Sequence, residues 1–172
     1  MTLLNVLKAP DPFLKKIAKP VDIFDTKLMT LIDDMFETMY ENSGIGLAAT
    51  QVNHDKRLIV IDIDHDSEVG EESKNPLVLI NPVITEKEGE RVMEEGCLSV
   101  PEFRAEINRA ASIKLNFIDQ NQNQIELEAL DLLSICIQHE LDHLNGILFI
   151  DYLPVLKRKI LLKKLKKLKN QD

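Results

Sequence analysis

The run LDLLSICIQHELDHLNG, Leu130 to Gly146, sets an uninterrupted apolar stretch directly before two histidines four residues apart. No turn signal divides it, so a single helix passes through both halves, and Gly146 offers that helix an end. Residues four apart on a helix are separated by about 40° around the axis and about 6 Å along it. His139 and His143 can therefore point two imidazoles at one ion, and Glu140 lies on the flank of that face, able to reach a water there. This is the logic of HExxH, two ligands plus a general base. The plainer alternative is one histidine packed in the core and the other polar groups on a solvated face.

Two histidines leave a catalytic metal one protein ligand short, since such sites use three and keep a position open. After His143 the sequence holds no further His or Cys, and its only acidic residues are Asp151 and Asp172. Asp142 suits a supporting contact better than a ligand. The remaining supply is Cys136, Cys97, His54 and His65. Cys136 lies in the apolar run, where a small buried thiol is a common core residue. Cys97 sits in EEGCLSVP, where Gly96 permits an unusual backbone and Pro101 ends the segment, as suits a ligand on a shaped loop.

A third stretch, GIGLAATQ from Gly44 to Gln51, carries two glycines and small residues where the backbone can come close to another group. It lacks the spacing of a phosphate-binding fingerprint. The amide of Gln51 is an uncharged donor of the kind that suits an oxyanion.

The 172 residues correspond to one domain, spanning 1–172, with enough chain for a single core. Thr26 to Tyr40 repeats apolar residues at three and four and reads as an amphipathic helix stopped by Asn42, Ser43 and Gly44. Strands are expected at Leu58 to Ile63, Leu77 to Ile80 with Asn81-Pro82 closing it, Ile113 to Ile118 and Gln124 to Ala129. His65 to Asn75 reads as an acidic surface loop. Short strands around one central helix, with a helix towards each terminus, imply an α+β fold. The two cysteines are not spaced as a CxxC pair and are expected to be free thiols. No apolar stretch approaches the length of a membrane span, and no export signal is recognisable at the N-terminus, so a cytoplasmic location is expected.

GIGLAATQ, EGCLS and QHELDH together resemble the three signature motifs of the peptide deformylases, in the same order and at compatible spacing. The resemblance runs from LKAPDPFLKKIAKPV to LFIDYLPVLKRK and is to the form of the family that ends in a helix. It implies antiparallel sheets packed around the metal-binding helix. It also implies Cys97, His139 and His143 as ligands, Glu140 as acid and base, and Gln51 with the Leu98 backbone N–H as oxyanion donors. Substrate would bind as an added strand against Ile45, Gly46, Glu95 and Gly96, with the methionine side chain among Ile45, Leu132, Ile135, Cys136 and His139. The implied reaction is hydrolysis of the N-formyl group of formylmethionyl nascent peptides. Two imidazoles and a thiolate by themselves point to zinc, whereas the resemblance implies Fe²⁺, with Zn²⁺, Ni²⁺ or Co²⁺ able to substitute.

The net charge of −8 conceals a division: residues 157–172 carry eight Lys and Arg against one Asp, and the rest of the chain is acidic. Leu161, Leu162, Leu165 and Leu168 give this tail helical spacing. Its lysines complement the C-terminal helix dipole, and they also suit an anionic lipid surface or RNA. The resemblance favours ribosomal RNA. Two rival readings of HExxH remain, a metalloprotease cutting internal peptide bonds and a structural zinc module closed by four protein ligands.

Overall fold

The computed structural model describes residues 1–65 and 73–171. Most of the expected acidic loop, at 66–72, lies outside the described residues. The fold is α+β, with helices α1 (Thr26–Glu41), α2 (Asp131–Leu144) and α3 (Val155–Lys169). Five strands, β1 (Gly46–Ala48), β2 (Leu58–Ile61), β3 (Leu77–Glu88), β6 (Ser112–Ile118) and β7 (Gln124–Leu130), form an antiparallel sheet in the order β1-β2-β3-β6-β7. β4 (Arg91–Cys97) and β5 (Val100–Arg109) form a separate antiparallel hairpin.

β2 has the sequence LIVI and is covered on both faces, which is why it reads as a continuous apolar run rather than an alternating one. Leu58 and Val60 face α1, packing with Leu28, Leu31, Ile32, Met35 and Met39. Ile59 and Ile61 face the other way, joining Leu79, Ile113, Leu115 and Phe117 against Ile137 and Leu144 of α2. Met35 and Met39 are fully buried, and each such side chain contributes roughly 1.5–3 kcal/mol through removal from water. α1 begins at Asp25, whose side chain caps the Leu28 N–H at 2.9 Å.

A third core cluster joins the hairpin, through Val100 and Ile107, to Leu14, Phe149 and Ile150 and to Leu165 of α3. Leu161 and Leu162 pack against the same cluster, so the spacing of leucines in the tail marks the face by which α3 docks.

β3 departs from expectation. Asn81-Pro82 does not close it, and the strand continues to Glu88 with its register against β6 shifted between Ile80 and Val83. Proline is tolerated at such an irregularity because the ladder is already interrupted. Asn81, at φ 52°, keeps a backbone bond to the Arg57 carbonyl at 2.9 Å and adds two from its side chain: Oδ1 accepts from the Val21 N–H at 2.8 Å and Nδ2 donates to the Val21 carbonyl at 3.0 Å. The hairpin β4–β5 is a further addition to the expected strands. Its outward positions are charged and its pattern is correspondingly less apolar.

β7 runs straight into α2, since Leu130 is both the last strand residue and the N-cap of the helix. α2 thus packs on the large sheet and meets the hairpin through the side chains of Glu95, Cys97 and Arg109. It ends where Gly146 adopts φ +74°, at a point where a Cβ would run into the Lys15 carbonyl.

Candidate active site

Ser134 to Glu140 and His143 are all buried, so α2 brings an unusual number of polar groups into the interior. Two of them anchor the helix. Gln138 donates through Nε2 to the Ala110 carbonyl at 2.9 Å and accepts from the Ala110 N–H at 3.2 Å, while Ser134 donates to the same carbonyl at 2.9 Å. These bonds tie α2 to the link between β5 and β6 and fix its rotation. The turn Ala49–Val52 adds a further tie, from Thr50 Oγ1 to the His143 carbonyl at 3.2 Å.

With the helix so held, His139, His143 and Cys97 converge. Their ligand atoms lie within 4.8 Å of one another, and the group includes no fourth His, Cys, Asp or Glu among the described residues. His143 Nε2 is 3.2 Å from His139 Nε2 and 3.3 Å from Cys97 Sγ. Ligand bonds of about 2.0–2.1 Å for nitrogen and about 2.3 Å for sulfur give tetrahedral edges of about 3.3–3.6 Å. The donor set and its spacing therefore fit one divalent ion with a position left open, which argues against a closed structural zinc module. Of the other candidate third ligands, His54 follows the Ala49–Val52 turn and lies outside the group. Cys136 is a separate buried thiol, its pKa pushed up by burial and by the Glu140 charge. Both cysteines are free.

Glu95 supports the cluster from behind. Its Oε1 lies 2.8 Å from His139 Nδ1, and both carboxylate oxygens meet Arg109, at 2.6 and 3.0 Å. Burial works against the Glu95 charge, but hydrogen bonds from His139 and Arg109 prevail and hold it below the usual carboxylate range. An ionised Glu95 requires the hydrogen on Nδ1, so the Nε2 lone pair of His139 faces the cluster. Burial likewise opposes charge on His139, yet its bonds to Cys97 and Glu95 raise its pKa well above the ordinary value. His143 moves the opposite way, lowered by burial and then by the charges of His139 and Arg109. With the hydrogen of His139 on Nδ1, its Nε2 is left to face His143 Nε2 and Cys97 Sγ as part of a donor set for a cation.

Glu140 is buried, and its Oε2 has no hydrogen-bond partner among the described residues. Burial raises its pKa to about 7, against the lowering influence of His139 and Arg109. Such a carboxyl is poised to accept or release a proton near neutrality. Gln51 is oriented by its own backbone neighbourhood: Oε1 accepts from the Ala48 N–H at 2.9 Å, which turns Nε2 towards Ser99 Oγ at 3.1 Å and Cys97 Sγ at 3.6 Å.

Above the cluster lies a cleft of about 800 Å³. Ile45, Gly46, Gln51, Glu95, Gly96, Cys97 and Leu98 line it from the strand side, and Leu132, Ile135, Cys136, His139 and Glu140 from α2. Every expected site residue except His143 borders this cleft; His143 is 1% exposed and sits behind it. The cleft runs between strands that, among the described residues, each pair on one side only, β1 with β2 and β4 with β5. Ile45 and Leu132, both partly exposed, form its apolar rim.

Several contributors had no assigned role in the sequence reading. Glu95 was expected only as backbone against substrate, yet its carboxylate holds His139. Arg109, outside the three motifs, pairs with Glu95 and with Asp142, which takes the supporting contact expected of it and also accepts from the Tyr152 hydroxyl. The alternating strand pattern of β5 was the available signal for Arg109, as a charged residue on the strand's inward side.

The model of the polypeptide deformylase family matches residues 3–159. The peptide deformylase of Chromobacterium violaceum is 52% identical over 172 residues, covering 100% of this chain and 99% of that protein. A crystal structure of a peptide deformylase from Legionella pneumophila superposes with a TM-score of 0.89 at 44% identity, covering 99% of this chain and 97% of the other. That of Ehrlichia chaffeensis peptide deformylase in complex with actinonin gives 0.90 at 39% identity, covering 97% and 98%. By the match over residues 3–159 and the 52% identity over its full length, this chain belongs to the polypeptide deformylase family.

Proposed function

We propose that the protein hydrolyses the N-formyl group of the formylmethionine that begins nascent chains, releasing formate and a free α-amine. The observation that carries the reading is one cleft lined by Cys97, His139 and Glu140, whose Oε2 has no hydrogen-bond partner among the described residues, with His143 behind it completing the three-donor group. Cys97, His139 and His143 would hold one divalent ion, which when bound supplies Lewis-acid polarisation of water and of the formyl oxygen. Glu140 takes a proton from the attacking water and returns it to the departing amine, so one carboxyl serves both steps. Its pKa near 7 suits this double duty. Gln51 Nε2 and the Leu98 N–H stabilise the charge that develops on the formyl oxygen. The Ala48 N–H keeps the Gln51 amide from rotating its donor away.

The peptide lies extended between the open edges at Ile45–Gly46 and Glu95–Gly96, adding a strand and drawing its affinity from main-chain hydrogen bonds. The methionine side chain enters the apolar end of the cleft among Ile45, Leu132, Ile135 and Cys136, beside His139. An unbranched thioether adapts well to such a wall.

Residues 1–172 act as a single catalytic domain in this reading. Fe²⁺ is the native ion by similarity to the family, although the donor set accommodates Zn²⁺, Ni²⁺ and Co²⁺. The substrate places the reaction in the cytoplasm, where nascent chains emerge. The lysines of α3, mostly exposed, give a surface for ribosomal RNA. Deletion of 157–172 is expected to abolish a salt-sensitive ribosome association; salt-insensitive binding, or binding unaffected by the deletion, would dismiss that partner.

The central test is formate release from a short formyl-methionyl peptide after anaerobic loading with Fe²⁺. Chelated protein and Glu140→Gln serve as controls, both expected to be inactive. A folded, metal-loaded parent that releases no formate would refute the reading. Cleavage at an internal bond of a blocked peptide would restore the protease alternative.

A further inference from the structure

Behind the metal-ligand group, ion pairs continue outward beyond the contact that orients His139. Arg109, the last residue of β5, binds Glu95 with two nitrogens and turns its third, Nη1, to Asp142 Oδ2 at 2.9 Å. The same oxygen accepts from the Tyr152 hydroxyl at 2.7 Å. The Tyr152 ring also covers the guanidinium, with Cζ 5.4 Å from the ring centroid. One network thus joins β4, β5, α2 and the turn Phe149–Tyr152, with the nearly enclosed Arg109 at its centre and the half-exposed Tyr152 at its outer end.

We propose that Tyr152 is a positioning residue for His139, acting through Asp142, Arg109 and Glu95 to raise the affinity of the cleft for its metal ion. The inference rests on the reading of Cys97, His139 and His143 as ligands.

The geometry explains how a hydroxyl on the surface can matter to an ion in the interior. Arg109 Nη1 and the Tyr152 hydroxyl converge on one oxygen, so the tyrosine donor holds the Asp142 carboxylate in the orientation that receives Arg109. The Asp142 side chain is 18% exposed, enough for it to turn to water once that donor is lost. Arg109 then keeps Glu95 as its carboxylate partner and loses the one that fixed Nη1, and the bidentate pair that holds Glu95 Oε1 opposite His139 Nδ1 loosens. An imidazole with a less defined ring orientation binds metal less well, because more rotational freedom is lost on coordination. Burial and the hydrogen bond to Asp142 push the Tyr152 hydroxyl up to about 12, so it remains a donor throughout the working range.

Tyr152→Phe separates the hydroxyl from the ring, since phenylalanine retains the face that covers Arg109. The experiment measures Zn²⁺ affinity by competition with a chromophoric chelator, using the full chain as parent, Tyr152→Phe, Asp142→Asn and the double variant. Loss of a direct outer partner costs about 10–100-fold in metal affinity, and one further removed is expected to cost about 3–10-fold. The Tyr152→Phe effect is expected to vanish in the Asp142→Asn background, with the thermal midpoint of the metal-free single variant unchanged. Unaltered affinity in Tyr152→Phe, or a full additional loss in the double variant, would overturn the proposal. So would an affinity loss matched by a fall in metal-free stability, which would make Tyr152 a general packing residue. A parent that binds no Zn²⁺ would overturn the ligand reading itself, and this inference with it.

Discussion

A Cβ added to Gly46 would come within 2.7 Å of Glu140 Oε1 and 2.9 Å of Cys136 Sγ, so the backbone of β1 rests directly on the carboxyl and on the pocket wall. Neither neighbour can move freely, since both belong to the buried face of α2. Gly46→Ala is therefore expected to displace Glu140 while leaving the three ligand atoms in place. Overpacking of this kind costs about 1–3 kcal/mol. The expected outcome is a fall in kcat of about tenfold or more, with metal content unchanged, measured by formate release and metal analysis. A normal kcat would mean that the contact is relieved elsewhere and that glycine is unnecessary at this position.

The two cysteines are expected to separate cleanly. Cys97→Ala removes a donor from the convergent group and is expected to abolish or strongly weaken metal binding. Cys136→Ala only enlarges the apolar wall and is expected to retain the ion while raising KM for formyl-methionyl substrates. Chelator competition and steady-state kinetics on both variants decide the matter, and the reverse pattern would exchange ligand and wall.

Gln51→Ala is expected to lower kcat by about 10²-fold or more, the usual consequence of losing one oxyanion donor. The Ala48 N–H loses its acceptor at the same time, so the thermal midpoint has to be measured alongside. A nearly normal kcat in a folded variant would assign the oxyanion to other donors.

Acid sensitivity follows from Glu95. Its pKa is lowered in the folded protein because bonds from His139 and Arg109 outweigh the cost of burial. A group of this kind contributes stability that is present above its unfolded value, about 4.3, and is lost as the pH falls through its lower folded value. The metal-free protein is expected to lose stability on acidification below about pH 4–5, with Glu95 contributing to the slope. Glu95→Gln is expected to flatten that part of the profile. It also costs about 3–5 kcal/mol at neutral pH, because Arg109 is left with a buried charge and one acidic partner fewer. An unchanged acid slope in the variant, followed by chemical denaturation across pH, would remove Glu95 from this role.

Much of the scaffold was legible in local pattern. α1 was expected from its repeat, α2 from an apolar stretch without a turn signal, and four strands of the large sheet from short apolar or alternating segments. The failures were also local in origin. Asn81-Pro82 carries a strong stop signal, but β3 continues past it through a register shift, with Asn81 held by its backbone bond to Arg57 and its side-chain bonds to Val21. β4 and β5 were missed because their charged outward residues dilute the alternation, even though that hairpin forms one wall of the cleft.

What the sequence determined by itself was whatever depends on spacing along one element: two imidazoles on one face of α2, with Glu140 beside them, follow from the helical repeat alone. The third donor does not follow from any repeat. Cys97 is 46 residues from His143 along the chain, and only the packing of the hairpin against α2 brings Sγ to 3.3 Å from Nε2. The same holds for Arg109 and Tyr152, whose charges and hydroxyl acquire meaning from partners on other elements. Local periodicity is written in neighbouring residues, whereas the partners of a buried charge are settled when separate elements close over it and water is excluded.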